Sequence, residues 1–123
     1  MLIILVVCPK SWAEDCAKDD LPQTDMNLCT IDYAKKAELE LDAVYKKLME
    51  KISPENRNKL RAAQNAWIKY RKKQCEFNTL ASLGGSVHST VLSYCHASLA
   101  NQQKKTLLEQ LECEEGDLSC GSQ

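Results

Sequence analysis

Glycine and proline are scarce in this chain, at four and three of 123 residues, and phenylalanine occurs once. A turn-rich β-sandwich calls for more chain-reversing residues, so the composition suits long helices better than that class. A strong charge of either sign is also missing, because 16 Lys and Arg against 17 Asp and Glu leave a net charge of −1. A nucleic-acid partner calls for a strongly basic face, and none is implied. No apolar run approaches the ~18 residues of a membrane-spanning helix. No glycine-rich phosphate loop, CxxC redox pair or Ser/His/Asp order occurs either, so neither catalytic machinery nor a cofactor is expected. His88 and His96 are too far apart along one helix to share a metal, and the nearby cysteines are expected to be oxidised.

What is present begins at the N-terminus. Leu2–Cys8 is unbroken apolar sequence, and Ser11-Trp12-Ala13 places small residues at the −3 and −1 positions of a cleavage site before the polar Glu14-Asp15. This reads as a secretory signal peptide spanning 1–13, removed on export, which leaves no stable membrane insertion and places the product in the periplasm or outside the cell. The positive n-region is the missing part, as a start codon set too far downstream would produce. Leu5-Val6-Val7-Cys8 has the outline of a lipobox, but Val7 stands where a small residue belongs. Cleavage after Ala13 removes Lys10, taking the net charge from −1 to −2, and removes Cys8 from the seven cysteines. Cys16, Cys29, Cys75, Cys95, Cys113 and Cys120 remain, an even number in a chain bound for an oxidising compartment.

Three amphipathic stripes follow an acidic lead-in. Thr24 is placed to cap the first helix, with Asp25 in its first turn. Met26, Cys29, Tyr33, Ala37, Leu41, Val44, Leu48 and Ile52 then recur at helical spacing over about 40 Å. Ser53-Pro54-Glu55 stops that helix and starts a second, whose stripe carries Leu60, Gln64, Trp67, Ile68, Arg71 and Cys75. Gly84-Gly85-Ser86 ends it and offers a cap to a third helix, through Val87, Val91, Tyr94, Cys95, Leu99, Leu107 and Leu111. Short connections between long helices make antiparallel neighbours, so the expected fold is all-α: an antiparallel three-helix bundle with disulfides over residues 14–112. Residues 113–123 form a short, acidic, non-helical tail with a small disulfide loop.

Counting outward from the turn at Ser53 places Gln64 level with Asp42, and Arg71 near Glu38 or Lys35. Gln64 and Arg71 share the stripe of Trp67 and so point inward, where an unpaired polar group costs about 1–3 kcal/mol. A Glu38–Arg71 ion pair and an Asp42–Gln64 hydrogen bond are therefore expected, with Glu38, Asp42, Gln64, Trp67 and Arg71 as a structural polar core. The catalytic alternative makes Glu38 and Asp42 a glycosidase-like carboxylate pair, but nothing beside them outlines a cleft. For the cysteines the spacing prefers Cys113–Cys120, Cys75–Cys95 and Cys16–Cys29. The rival arrangement joins Cys29 to Cys75 and Cys16 to Cys95.

Gln23, Met26-Asn27, Cys29, Tyr33, Ala37-Glu38, Leu41-Asp42 and Val44-Tyr45 form a pattern with Gln64-Asn65-Ala66-Trp67-Ile68-Lys69-Tyr70-Arg71, Cys75, Gly85-Ser86 and Cys95. Over about residues 15–111 this pattern resembles the lysozyme inhibitor LprI family. The resemblance implies an exported helical domain of bacterial envelopes, lipid-anchored in some members, and a protein partner that in some members is lysozyme. This chain departs from it with Glu38 and Asp42 where Asp and Asn are more usual, and with Ala100 and Gln103 where Thr and Arg are expected. The expected role is thus an exported, non-catalytic binding protein inhibiting lysozyme-type glycoside hydrolases, or else an envelope interaction module without inhibitory activity. Glu112, Glu114, Glu115 and Asp117 of the tail offer a surface for a cationic partner. Nothing in the residues sets an oligomeric state.

Overall fold

The computed structural model describes Cys16 and residues 21–121. The expected signal peptide, Cys8, and the acidic positions Glu14, Asp15, Asp19 and Asp20 lie outside the described residues. Among the described residues three long helices make up the fold: α1 (Gln23–Lys51), α2 (Pro54–Asn78) and α3 (His88–Leu111). A single 3-10 turn, Leu80–Ser82, lies between α2 and α3. Among the described residues no helix is long and apolar enough to cross a membrane.

The helix ends follow local chemistry, with two departures. Proline disfavours the helical conformation for the residue before it, which ends α1 before Ser53. Ser53 then caps α2, its hydroxyl accepting from the Asn56 N–H at 3.4 Å, with Pro54 at the first helical position. Thr24 does not cap α1. The extended Pro22 takes the cap position without a side-chain bond, and its carbonyl accepts from the Met26 N–H at 2.9 Å. Ser86 does not cap α3 either: Val87 stands there in helical geometry, while the Ser86 carbonyl accepts from Asn27 at 3.2 Å. The α2–α3 connection turns at Gly84, whose φ of 81° lies in the left-handed region that suits glycine.

Cross-helix contacts fix the directions. Gln23 meets Thr90, Tyr33 meets Asn101, Glu40 meets Lys104 and Lys51 meets the Leu111 carbonyl. Numbers on α1 and α3 therefore rise together, and these two helices run parallel. On α2 and α3 they run oppositely, as Gln64 meets Gln103 and Cys75 meets Cys95. The result is an up-down-up bundle in which α2 is antiparallel to both neighbours.

The three helices are not equally close. The α1–α3 seam is the tightest, and it buries Thr30, Ala37, Leu41 and Leu48 against Thr90, Ser93, Ala97, Ala100 and Leu107. Small side chains let two backbones approach, since interaxial distance is set by what stands between them. The sequence stripe on α3 is corrected here, because Val91, Tyr94 and Leu99 are half-buried flanks of a seam made largely of Ala, Ser and Thr. Helix α2 stands farther out and buries only Gln64 and Cys75 completely, with Leu60 and Trp67 half-buried against the core. Ile68, placed on its inner stripe from sequence, is exposed.

Cys16 joins Cys29, Cys75 joins Cys95 and Cys113 joins Cys120, the arrangement the spacing prefers over the Cys29–Cys75 rival. By loop-closure entropy each bridge contributes about 3 kcal/mol.

Candidate functional site

Two regions carry the chemistry expected from the sequence: a polar layer halfway along the bundle, and the acidic end where the tail folds back.

In the polar layer, Glu38 on α1 accepts from the Arg71 guanidinium on α2 at 2.9 Å. Arg71 also lies over Trp67, its Cζ 4.9 Å from the ring centroid, so one cation is held by a carboxylate and an aromatic face. Its side chain is 15% exposed, against 50% for Glu38. His96 on α3 faces the same pair. Burial holds its imidazole below the usual histidine range, the Arg71 charge adds to that, and Glu38 opposes it. Lys104 and Glu40 pair alongside at 2.9 Å.

The expected Asp42–Gln64 bond is not made. Asp42 is exposed, and the buried Gln64 accepts from Gln103 on α3 at 3.2 Å. Helix α2 leans toward α3 at that level, which turns the inward face of Gln64 away from α1. Of the five residues assigned to a polar core, Glu38, Trp67 and Arg71 are brought together, Gln64 joins α3, and Asp42 stands apart. Gln103, singled out in the sequence only as a departure from the family pattern, is the partner that sequence reasoning missed for Gln64, and only the rotation of α2 could have revealed it.

At the lower end, α3 runs into the Cys113–Cys120 loop, which turns at Gly116 with φ of 89°. Asp117 accepts from both the hydroxyl and the N–H of Ser119, bonds that hold its carboxyl below the usual range, the hydroxyl bond most strongly. Gln110 grips the returning strand of the loop, donating to the Ser119 carbonyl at 3.2 Å and accepting from the Gly121 N–H at 2.8 Å. Asn56 at the start of α2 donates to the Gly121 carbonyl at 3.0 Å. The tail is thus clamped across the end of the bundle. Glu112, Glu114, Glu115 and Asp117 are all exposed on it. Cys113, Asp117 and Cys120 are close enough to suggest a metal cage, but both sulfurs are spent on the disulfide and offer no thiolate.

Two grooves flank these regions. One of about 430 Å³ runs between α2 and α3 beside the clamped tail, over Leu48, Ile52, Leu60, Ala63 and Leu107. The other, about 510 Å³, lies over Tyr33, Tyr94, Ser98 and Asn101, where the two tyrosine rings tilt together with centroids 5.9 Å apart. Burial, and then the Tyr33 neighbour, raise the Tyr94 phenol above its ordinary range. Neither groove gathers a nucleophile with a base.

Comparison with known proteins gives three findings. The profile of a family described as lysozyme inhibitor LprI matches residues 13–107. A protein of Rhizobium meliloti (strain 1021), described as uncharacterized, is 29% identical over 114 residues, covering 82% of this chain and 81% of its own length. No solved structure gives a significant match.

Proposed function

The chain belongs to the lysozyme inhibitor LprI family, and on that premise we propose that it is an exported, non-catalytic protein that binds and inhibits lysozyme-type glycoside hydrolases. The observation that carries this reading is the family match itself, which takes in every helix except the last turn of α3. Three disulfides favour an oxidising compartment, hence the periplasm or the exterior. Glu38 and Asp42, the candidate acid pair of an enzyme, serve other ends: Glu38 braces α2 through Arg71, and Asp42 stands apart from that pair. A lysozyme presents a cationic surface around a carboxylate cleft, so the acidic end of the bundle steers the encounter and speeds association most at low salt. The domain reading of residues 1–13 as leader, 14–112 as inhibitor domain and 113–123 as acidic tail belongs to the same proposal.

A clearing assay on bacterial cell walls tests it. Micromolar protein should slow lysozyme, and Glu112→Gln, Glu114→Gln and Glu115→Gln together should weaken that inhibition most at low ionic strength. Undiminished clearing would remove the inhibitor function. The second reading, an envelope interaction module without inhibitory activity, is favoured by one observation: the acidic tail falls outside the matched residues. A pull-down from periplasmic extract, with and without residues 113–123, separates the two.

A further inference from the structure

The end of the bundle opposite the acidic tail has the reverse character. No Asp, Glu, Lys or Arg occurs between Glu76 and Lys104, so the whole α2–α3 connection is uncharged. It is also apolar where it meets solvent: Phe77 is 70% exposed, Leu80 58% and Leu83 64%, with Val87 and, on α1, Leu28 exposed as well. A small protein rarely leaves so many large apolar side chains at one tip without a surface to cover them. The tip has a fixed shape, because Thr79 donates to the Cys75 carbonyl at 2.7 Å, Ser82 bonds His88 at 2.9 Å and Asn27 holds the Ser86 carbonyl.

Below the tip the charge is basic on one flank. Helix α2 carries seven Lys and Arg against Glu55 and Glu76, and it is the least buried of the three helices. Lys69, Lys72 and Lys73 are exposed on its outer side, about 6–12 Å below Phe77 along the axis. The acidic groups described at this end are Asp25 and Asp32 on α1 and Glu76, the last 3.8 Å from Lys73, while Glu38, level with the lysines, is taken up by Arg71. The chain enters the bundle here too, since Cys16 is tied to Cys29 in the second turn of α1.

We propose that this tip docks on an anionic phospholipid bilayer, with Phe77, Leu80 and Leu83 reaching the acyl boundary and Lys69, Lys72 and Lys73 at the headgroups. Apolar side chains flanked by lysines are the composition of a peripheral, reversible membrane contact, and among the described residues no helix is long and apolar enough to span. Docking this way points the acidic end away from the membrane, toward approaching soluble proteins.

Vesicles of equal parts phosphatidylglycerol and phosphatidylcholine test this with the full chain, wild type and variants in parallel. Sedimentation with these vesicles should fall with salt and with phosphatidylcholine alone. Each of Lys69→Glu and Lys72→Glu should weaken it by at least about fivefold, and Leu80→Ser with Leu83→Ser by at least about tenfold. Leu83→Trp supplies a readout independent of the N-terminal run: its indole should be quenched by brominated acyl chains, and that of Leu39→Trp, exposed mid-bundle, should not. Equal quenching of the two, or tip and lysine variants that bind as wild type does, overturns the proposal. So does a concentration-dependent dimer abolished by the tip variants in a protein that ignores vesicles, which would assign the tip to a second copy. The clearing assay in free solution should be unchanged by every tip variant, so the two readings fail separately.

Discussion

Replacing Arg71 by Gln probes how the outlying helix is held. The guanidinium makes one 2.9 Å contact with a carboxylate that is half in water, so that pair contributes about 0.5–1 kcal/mol after solvent screening. Its stacking on Trp67, on a side chain only 15% exposed, adds about 1 kcal/mol. Gln keeps most of the aliphatic stem, so packing loss is small. The expected cost is about 1.5–2 kcal/mol, or a fall in Tm of about 5–10 °C for a domain of this size. Glu38→Gln leaves the stacking in place and should cost about 0.5–1 kcal/mol. A double-mutant cycle, by urea unfolding followed in far-UV circular dichroism with the disulfides intact, should return a coupling of about 0.5–1 kcal/mol. A zero coupling, or an Arg71→Gln cost under about 0.5 kcal/mol, would refute the reasoning and leave α2 resting on its disulfide, its apolar contacts and the Gln64 and Asn56 hydrogen bonds.

Removing the α2–α3 bridge by Cys75→Ala with Cys95→Ala closes no loop across a separation of 20 residues and should cost about 3 kcal/mol. Hydrogen exchange should then find α2 amides opening before those of α1 and α3, and uniform opening would count against a loosely held α2. In the close seam, Ala100→Leu has no space to fill and should cost about 1–3 kcal/mol, whereas exposed Ala66→Leu should stay within about 0.5 kcal/mol of neutral, both read from urea midpoints. The depressed His96 pKa gives a pH dependence of definite sign. The unfolded chain binds the proton first as pH falls, so stability is full above about pH 6.5 and declines through the interval down to the folded pKa, below which it levels off. NMR titration should place the His96 pKa below the free value, and Arg71→Gln should raise it. An unshifted titration would show that the imidazole does not face the guanidinium.

Much of this protein was legible along the chain because the relevant signals are local. Ser53-Pro54 ends one helix and begins the next through proline sterics and a side-chain cap, and both act over three or four residues. The glycine pair after α2 marks its turn for the same reason. Heights along antiparallel neighbours follow from counting at 1.5 Å per residue, which is why the Glu38–Arg71 pair and the Cys75–Cys95 bridge stand where the spacing puts them. The α3 seam was harder to read. Ala97, Ala100, Ser93 and Thr90 carry little hydrophobic signal, and their burial follows from how near α1 comes, a distance no single helix encodes.

The amino-acid sequence by itself determined three helices, their order and direction, the preferred pairing of six cysteines, and membership of a family with a named activity. Tertiary structure alone decided the rotation of α2 about its axis, which gives Gln64 to Gln103 and leaves Asp42 in solvent. It also decided that the uncharged α2–α3 connection and the clamped acidic tail lie at opposite ends of one rod. Height is additive along a helix and survives counting. Rotation and proximity come from side chains of three helices packing at once, and those are settled only when the whole bundle closes.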